Sequence, residues 1–257
     1  MFDVTPIPAF NDNYIWALSV AGQNQIAVVD PGDATPVENY LRDNDLQLAA
    51  ILVTHHHHDH TGGIQALRAE FDVPVYGPED CQFSGITHTL ADGATINLFG
   101  HALEIRAIPG HTLDHISYFS AVDTPQIFCG DTLFLAGCGR LFEGTPSQMF
   151  DAMAYFKSLP DATEIYCTHE YSMANLKFAA AVEPDNTDIE ATLSTCYQLR
   201  EADKPTLPTS IAQERRINPF LRTDSDTVIR TASDFSGRTL NTELDVFTAV
   251  REWKNQF

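Results

Sequence analysis

The feature that most constrains this chain is the run Thr54-His55-His56-His57-His58-Asp59-His60, which follows directly on the apolar stretch AAILV at residues 49–53. The arrangement recurs three times: LEIRAIPG ends in His111, QIFCG in Asp131 and EIYCT in His169. Each is a strand-like apolar run followed at once by a metal-capable side chain. A sandwich that gathers these four ends at one edge would hold the ligands on loops of a rigid scaffold. While the chain stays extended, side chains two apart share a face, so His55 and His57 can grip one ion with His56 and His58 turned away. A helix opening at Thr61-Gly62-Gly63 then changes the backbone direction and can aim Asp59 and His60 at a second ion. Asp131 suits a bridge, since its two oxygens can serve cations roughly 3.5–4 Å apart. Imidazole and carboxylate without thiolate suit zinc, iron or manganese.

Blander readings weigh less once the four ends are taken together. Among 35 acidic residues a lone aspartate near a histidine means little. An expression tag sits at a terminus, whereas this run is internal and continues into Asp-His. Cys129 and Cys167 each stand two residues before a proposed ligand, and in apolar strands they are expected to pack as small hydrophobes. His88 and His101 lie beside turns and are expected in solvent. His115, in GHTLDH, is expected to steady a ligand's orientation from behind.

Strand-like runs at 14–20, 26–29, 49–53, 73–76, 94–99, 103–108, 116–120, 126–129 and 164–167 alternate with turn signals up to about residue 168. Helical spacing interrupts them at 35–42, 61–71 and 147–159. After Glu170 the strand-like runs vanish and helical segments continue to the end. This predicts an α/β sandwich over residues 1–169 and an all-helical domain over 170–257.

Charge narrows the partners. A formal net charge of -20 with no basic cluster excludes nucleic acid and acidic membrane surfaces as binding partners. No stretch approaches the roughly 20 apolar residues that span a bilayer. The N-terminus lacks a basic segment followed by an apolar core, so no signal peptide is expected. Five scattered cysteines without a CxxC pair fit a reducing cytoplasm, and the chain is expected to act as a monomer.

The run T-H-x-H-x-D-H with a later His, Asp and His resembles the metallo-β-lactamase superfamily. Within it, NDNYIW at 11–16, VDPGD at 29–33, PGHTLDH at 109–115, FCGDTLF at 128–134, GCGRLFEGT at 137–145, HEY at 169–171 and the closing Arg251-x-x-Lys254 resemble the hydroxyacylglutathione hydrolases, or glyoxalases II. These motifs span nearly the whole chain in order. The resemblance implies an αββα sandwich with a helical C-terminal domain that binds substrate. It implies two divalent ions, zinc first, with iron or manganese as alternatives. One would be held by His55, His57 and His111, the other by Asp59, His60 and His169, with Asp131 bridging. Asp59, His60 and Asp131 would then take part in catalysis. The implied reaction is hydrolysis of S-D-lactoylglutathione to D-lactate and glutathione, the second step of methylglyoxal detoxification. Arg140, Phe142, Tyr171, Asn175, Arg251 and Lys254 match the substrate-contact positions. Two positions depart from the pattern: Phe142 stands where some members have tyrosine, and Asp114 where glycine is common.

The chemistry of the residues agrees. Paired cations can activate water toward a carbonyl, and a thioester releases a thiolate that needs no prior protonation. No GxSxG elbow or cysteine–histidine nucleophile motif competes. The rivals are a mononuclear iron enzyme of the same superfamily acting on glutathione persulfide, and a non-catalytic metal-binding scaffold. A β-lactamase or lactonase would leave GCGRLFEGT and the closing Arg-x-x-Lys without a task.

Overall fold

The computed structural model describes residues 1–257. The chain opens with β1 (Asp3–Ala9), β2 (Asn13–Ser19) and β3 (Gln25–Val29), then α1 (Ala34–Asn44) and β4 (Gln47–Leu52). The short helices α2 (His58–Thr61) and α3 (Ile64–Glu70) lead into β5 (Val75–Pro78), β6 (His88–Leu90), β7 (Thr95–Leu98), β8 (His101–Ala107), β9 (Ile116–Ser120) and β10 (Gln126–Gly130). Next come β11 (Leu133–Phe134), β12 (Gly137–Cys138), α4 (Pro146–Ser158) and β13 (Glu164–Cys167). The rest is α5 (Ser172–Val182), α6 (Thr187–Glu201), β14 (Thr209–Ser210), α7 (Ile211–Ile217), α8 (Asp226–Ser236) and α9 (Glu243–Gln256).

One six-stranded sheet has the order β1-β2-β3-β4-β5-β6, another the order β14-β13-β10-β9-β8-β7, and β11-β12 form a hairpin. The chain divides into two compact units. The first holds Met1–Ile108, Asp114–Gly130 and Tyr166–His169; the second holds Pro109–Leu113, Asp131–Ile165 and Glu170–Phe257. The expected boundary at residue 170 is thus one of five points where the chain passes from one unit to the other.

In the first unit, β1, β2 and β3 pair antiparallel, while β3 to β6 run parallel. Parallel neighbours need crossovers, and α1 and α3 supply two of them. Val37 and Leu41 of α1 and Ile64 and Leu67 of α3 pack with Ile26, Val28 and Ile51 in one buried cluster. Fully burying each such side chain is worth about 1.5–3 kcal/mol. Asp33 caps α1 by accepting from the Thr35 amide at 2.9 Å. The strand β1 escaped the sequence reading because it carries Pro6 and Pro8. It lies at the sheet edge, where proline costs no ladder hydrogen bond. Tyr118 of β9 ties the two sheets together: its hydroxyl donates to the Val53 carbonyl at 2.8 Å and accepts from the Val53 amide at 3.2 Å.

The second unit is mostly helix. Thr145 and Gln148 form a capping box on α4, and Thr242 and Asp245 form one on α9. Rings bridge the helices: Phe178 stacks on Phe220, and Phe247 meets both Phe220 and Phe150 edge-on. The region after residue 170 is not wholly helical, since Thr209–Ser210 pairs antiparallel with Glu164 and Ile165. Ser210 then caps α7, so two residues of extended chain serve as both strand and helix start. No helix is long and apolar enough to cross a membrane.

Candidate metal centre

The histidine run leaves β4 at Leu52 and does not stay extended through His57, nor does its helix wait for Thr61-Gly62-Gly63. The first turn forms at His58, so Asp59 and His60 sit on α2. Two local features force the early turn. The Thr61 hydroxyl donates to the His57 carbonyl at 3.0 Å, while the backbone of Gly32 approaches Asp59 so closely that a Cβ there would strike the Asp59 carbonyl. The expected sharing of space by His55 and His57 survives the bend, with ring centroids 4.7 Å apart. His58 is exposed and His56 is partly buried.

In the first unit, ligand atoms of Asp59, His60 and His169 all lie within 4.8 Å of one another. The Asp59 carboxylate faces His60 Nε2 at 3.5 Å and His169 Nε2 at 3.4 Å. Burial would raise the pKa of Asp59, but the neighbouring His169 and His60 rings and the Asn13 amide outweigh it and hold the carboxyl well below its usual range. In the second unit, His111 Nε2 stands 3.4 Å from Asp131 Oδ2.

The opposite ring nitrogens decide which edge of each ring could face a cation. His60 Nδ1 contacts Asp30 Oδ2 at 3.0 Å, His169 Nδ1 contacts Asp12 Oδ1 at 2.9 Å, and His111 Nδ1 contacts the Arg140 carbonyl at 2.8 Å. Those oxygens are acceptors, so each Nδ1 carries the proton and each Nε2 lone pair is available to a cation. His55 follows the same logic. Its Nδ1 lies 3.1 Å from the Thr54 hydroxyl, which already donates to Asp30 at 2.7 Å and must therefore accept from the ring. This donor set, imidazole with carboxylate and no thiolate, fits divalent metal ions.

Asp30 is the residue the sequence reading missed. It is 1% exposed and also accepts from the Thr54 amide at 2.7 Å. Its φ of 54 is uncommon for any residue but glycine. Asp12 and Asn13 were missed too; Asn13 donates to Asp59 at 3.1 Å. The signal was present in the motifs VDPGD and NDNYIW, but no spacing rule assigns their side chains a partner. His115 is fully buried and stacked on His55 at 4.5 Å, as its expected supporting place requires. Cys129 and Cys167 are buried strand residues.

The six expected substrate-contact residues fall into two groups within the second unit. Arg140, Phe142 and Tyr171 are exposed, and Lys254 is half-buried. Lys254 Nζ stands 4.9 Å above the Phe178 ring, and burial pulls its pKa down to about 8, with the Arg251 charge adding to the effect. Asn175 and Arg251 are buried and hold the backbone of the loop 134–140. Asn175 Nδ2 donates to the Leu135 carbonyl at 3.1 Å, and Arg251 Nη1 donates to the Cys138 carbonyl at 2.8 Å. Two further residues grip the same loop. Buried Glu214 accepts from the Ala136 amide at 2.8 Å, Thr209 Oγ1 at 2.7 Å and Asn218 Nδ2 at 2.9 Å. Asn218 in turn donates to the Gly137 carbonyl at 3.0 Å.

Two family models match successive parts of the chain. Residues 11–169 match the family model described as the metallo-beta-lactamase superfamily, and residues 170–257 match that described as hydroxyacylglutathione hydrolase C-terminus. A hydroxyacylglutathione hydrolase of Nitrosomonas europaea is 48% identical over 100% of this chain and 97% of its own length. One from Pseudomonas aeruginosa is 48% identical over 100% of both chains. Among solved structures, ETHE1 from Myxococcus xanthus shares the fold with a TM-score of 0.65 at 23% identity, covering 99% of this chain and 98% of its own. The B3 metallo-beta-lactamase BLEG-1 gives 0.63 at 22% identity over 86% of this chain and 99% of its own. The chain therefore has the metallo-β-lactamase fold with a C-terminal helical region, and it belongs to the hydroxyacylglutathione hydrolase family.

Proposed function

We propose that this chain hydrolyses 2-hydroxyacyl thioesters of glutathione, S-D-lactoylglutathione foremost, to the hydroxy acid and glutathione. The observation that carries the reading is the set of histidines whose Nδ1 atoms are committed to Asp30, Asp12, Thr54 and the Arg140 carbonyl, which leaves Nε2 for cations. In this reading His55, His57 and His111 hold one divalent ion, Asp59, His60 and His169 hold another, and Asp131 is shared. Zinc is the first choice, with iron and manganese behind it. When bound, the ions supply the charge that activates water and polarises the thioester carbonyl.

The chain's own residues do the rest. Asp30 and Asp12 keep protons on the Nδ1 atoms, and so fix the ring orientation through the reaction. Arg140 and Lys254 offer cationic atoms to the carboxylates of glutathione against a strongly acidic background, and Phe142 and Tyr171 offer ring faces. Asn175 and Arg251 contribute by shaping the loop that carries Arg140. Residues 170–257 act as the substrate-binding domain in this scheme, and the catalytic domain is 1–169. The leaving thiolate needs no dedicated acid. We place the enzyme in the cytoplasm as a monomer; its cysteines are all free thiols.

The test is thioesterase activity on S-D-lactoylglutathione with and without chelator, alongside elemental analysis. Thiol release that is lost on chelation and restored by zinc is expected, with about two ions per chain. Metal binding without thioester cleavage would leave a scaffold. Oxygen uptake with glutathione persulfide and a single iron would establish the redox rival.

A further inference from the structure

Asp114, in the segment that follows His111, does not face solvent. Its side chain is 4% exposed, and Oδ1 lies 3.0 Å from Nδ1 of His56, itself only 15% exposed. A carboxylate is buried at large cost unless it is paired or hydrogen-bonded, and this contact supplies a partner for Oδ1. The Cys81 thiol faces the same carboxylate. Burial pushes that thiol up to about 12, with the Asp114 charge adding to the shift.

The two partners occupy telling positions. His56 lies between His55 and His57, and its carbonyl and that of His57 both accept from the Thr61 hydroxyl. Asp114 precedes His115, whose ring stacks on His55 with an interplanar angle of 16°. The contact therefore joins the histidine run to the strand end that follows His111.

We propose that Asp114 is a positioning residue: through His56 it fixes the backbone that presents His55 and His57, so that this chain's metal site is braced by a contact that glycine at 114 would lack. The proposal rests on His55 and His57 being ligands. A brace of this kind changes how tightly the ion is held without touching the ion.

The experiment is zinc affinity of the full chain, measured by competition with a chromophoric chelator, for wild type, Asp114→Ala, Asp114→Asn, His56→Ala, the His56→Ala/Asp114→Ala pair and His57→Ala. Urea midpoints of the apoproteins confirm that each variant folds. Asp114→Ala and His56→Ala should each weaken the tighter affected ion about tenfold, with the double variant no worse than either. Asp114→Asn keeps an acceptor for Nδ1–H and should stay within about threefold of wild type. Wild-type affinity in Asp114→Ala, alongside loss of an ion in His57→Ala, would overturn the brace and leave the metal centre intact. Additive losses in the double variant would overturn it too, as would an Asp114→Asn variant as weak as Asp114→Ala. A wild-type chain that binds no zinc would overturn the centre itself and the brace with it.

Discussion

In the first compact unit, the candidate ligands are side chains held by other side chains; in the second, side chains hold the backbone of a loop. His60 leans on Asp30 and His169 on Asp12, and the coordinating atoms point away from those contacts. Glu214, Asn218, Asn175 and Arg251 do the reverse, each spending polar atoms on amides and carbonyls of the loop 134–140. The first arrangement fixes where a small cation can be bound. The second fixes the shape of a surface from which Arg140 and Phe142 project. A metal ion needs a few atoms at set distances, whereas a peptide-like ligand needs a contoured wall. Two kinds of support follow from those two demands.

Substitutions can break this contrast, and the largest effect is expected at Asp59. Its carboxylate lies between two imidazoles, and Asp59→Ala should lower kcat by roughly a thousandfold or more while one ion is lost per chain. Elemental analysis beside steady-state kinetics checks this; full activity would remove Asp59 from the centre.

Next comes Glu214. Glu214→Ala strips the partner from three donors inside the protein and should cost about 2–4 kcal/mol in urea unfolding. The same residue predicts a pH dependence. Burial pushes its carboxyl from the ordinary 4.5 up to about 7, against the pull of Thr209, Asn218 and the Ala136 amide. The folded chain then binds more protons than the unfolded chain between those values, so this group makes stability fall as pH rises from about 4.5 to about 7. Comparing the stability profiles of wild type and Glu214→Gln over that interval isolates the effect. Equal slopes would show that Glu214 does not titrate there.

Lys254 and Arg251 sharpen the contrast within one helix. In the proposed reading, Lys254→Ala should raise KM about tenfold with little change in kcat, because a cation offered to the glutathione carboxylates is lost. Arg251→Ala should instead lower stability and kcat as well as raising KM, since its guanidinium holds the loop. Lys254 is pulled down to about 8, so its cation fades and KM should rise above that pH. Lys254→Arg should abolish this rise. The smallest effect belongs to the capping box of α9, which carries both residues: Thr242→Ala should cost about 1 kcal/mol in a thermal or urea melt.

The contrast also explains what could be read from the residues alone. The strands that lead to His55, His111, Asp131 and His169 were legible because an apolar run ends abruptly in a metal-capable side chain. So were α1 and α4, through helical spacing. The edge strand β1 was hidden by its prolines, and the turn at His58 by contacts from Gly32, distant in sequence. Asp30 and Glu214 were invisible for a common reason. Their function lies in partners 24 and 78 residues away, at Thr54 and Ala136, and no local pattern records such distances. Arg251 was legible as a motif but not as a buried residue, because a basic side chain near a helix end looks the same whether it meets solvent or a carbonyl.

The short strand β14 has a consequence for how this chain could be divided. Family boundaries invite a cut at residue 170, which would remove Thr209 and Ser210 and with them the partner of Glu164 and Ile165. The severed fragment would carry a bare row of amides and carbonyls along β13, next to the segment that ends in His169. Exposed edges of that kind recruit strands from other molecules. A fragment cut at residue 170 should therefore self-associate more readily than the full chain, which light scattering of the two would show.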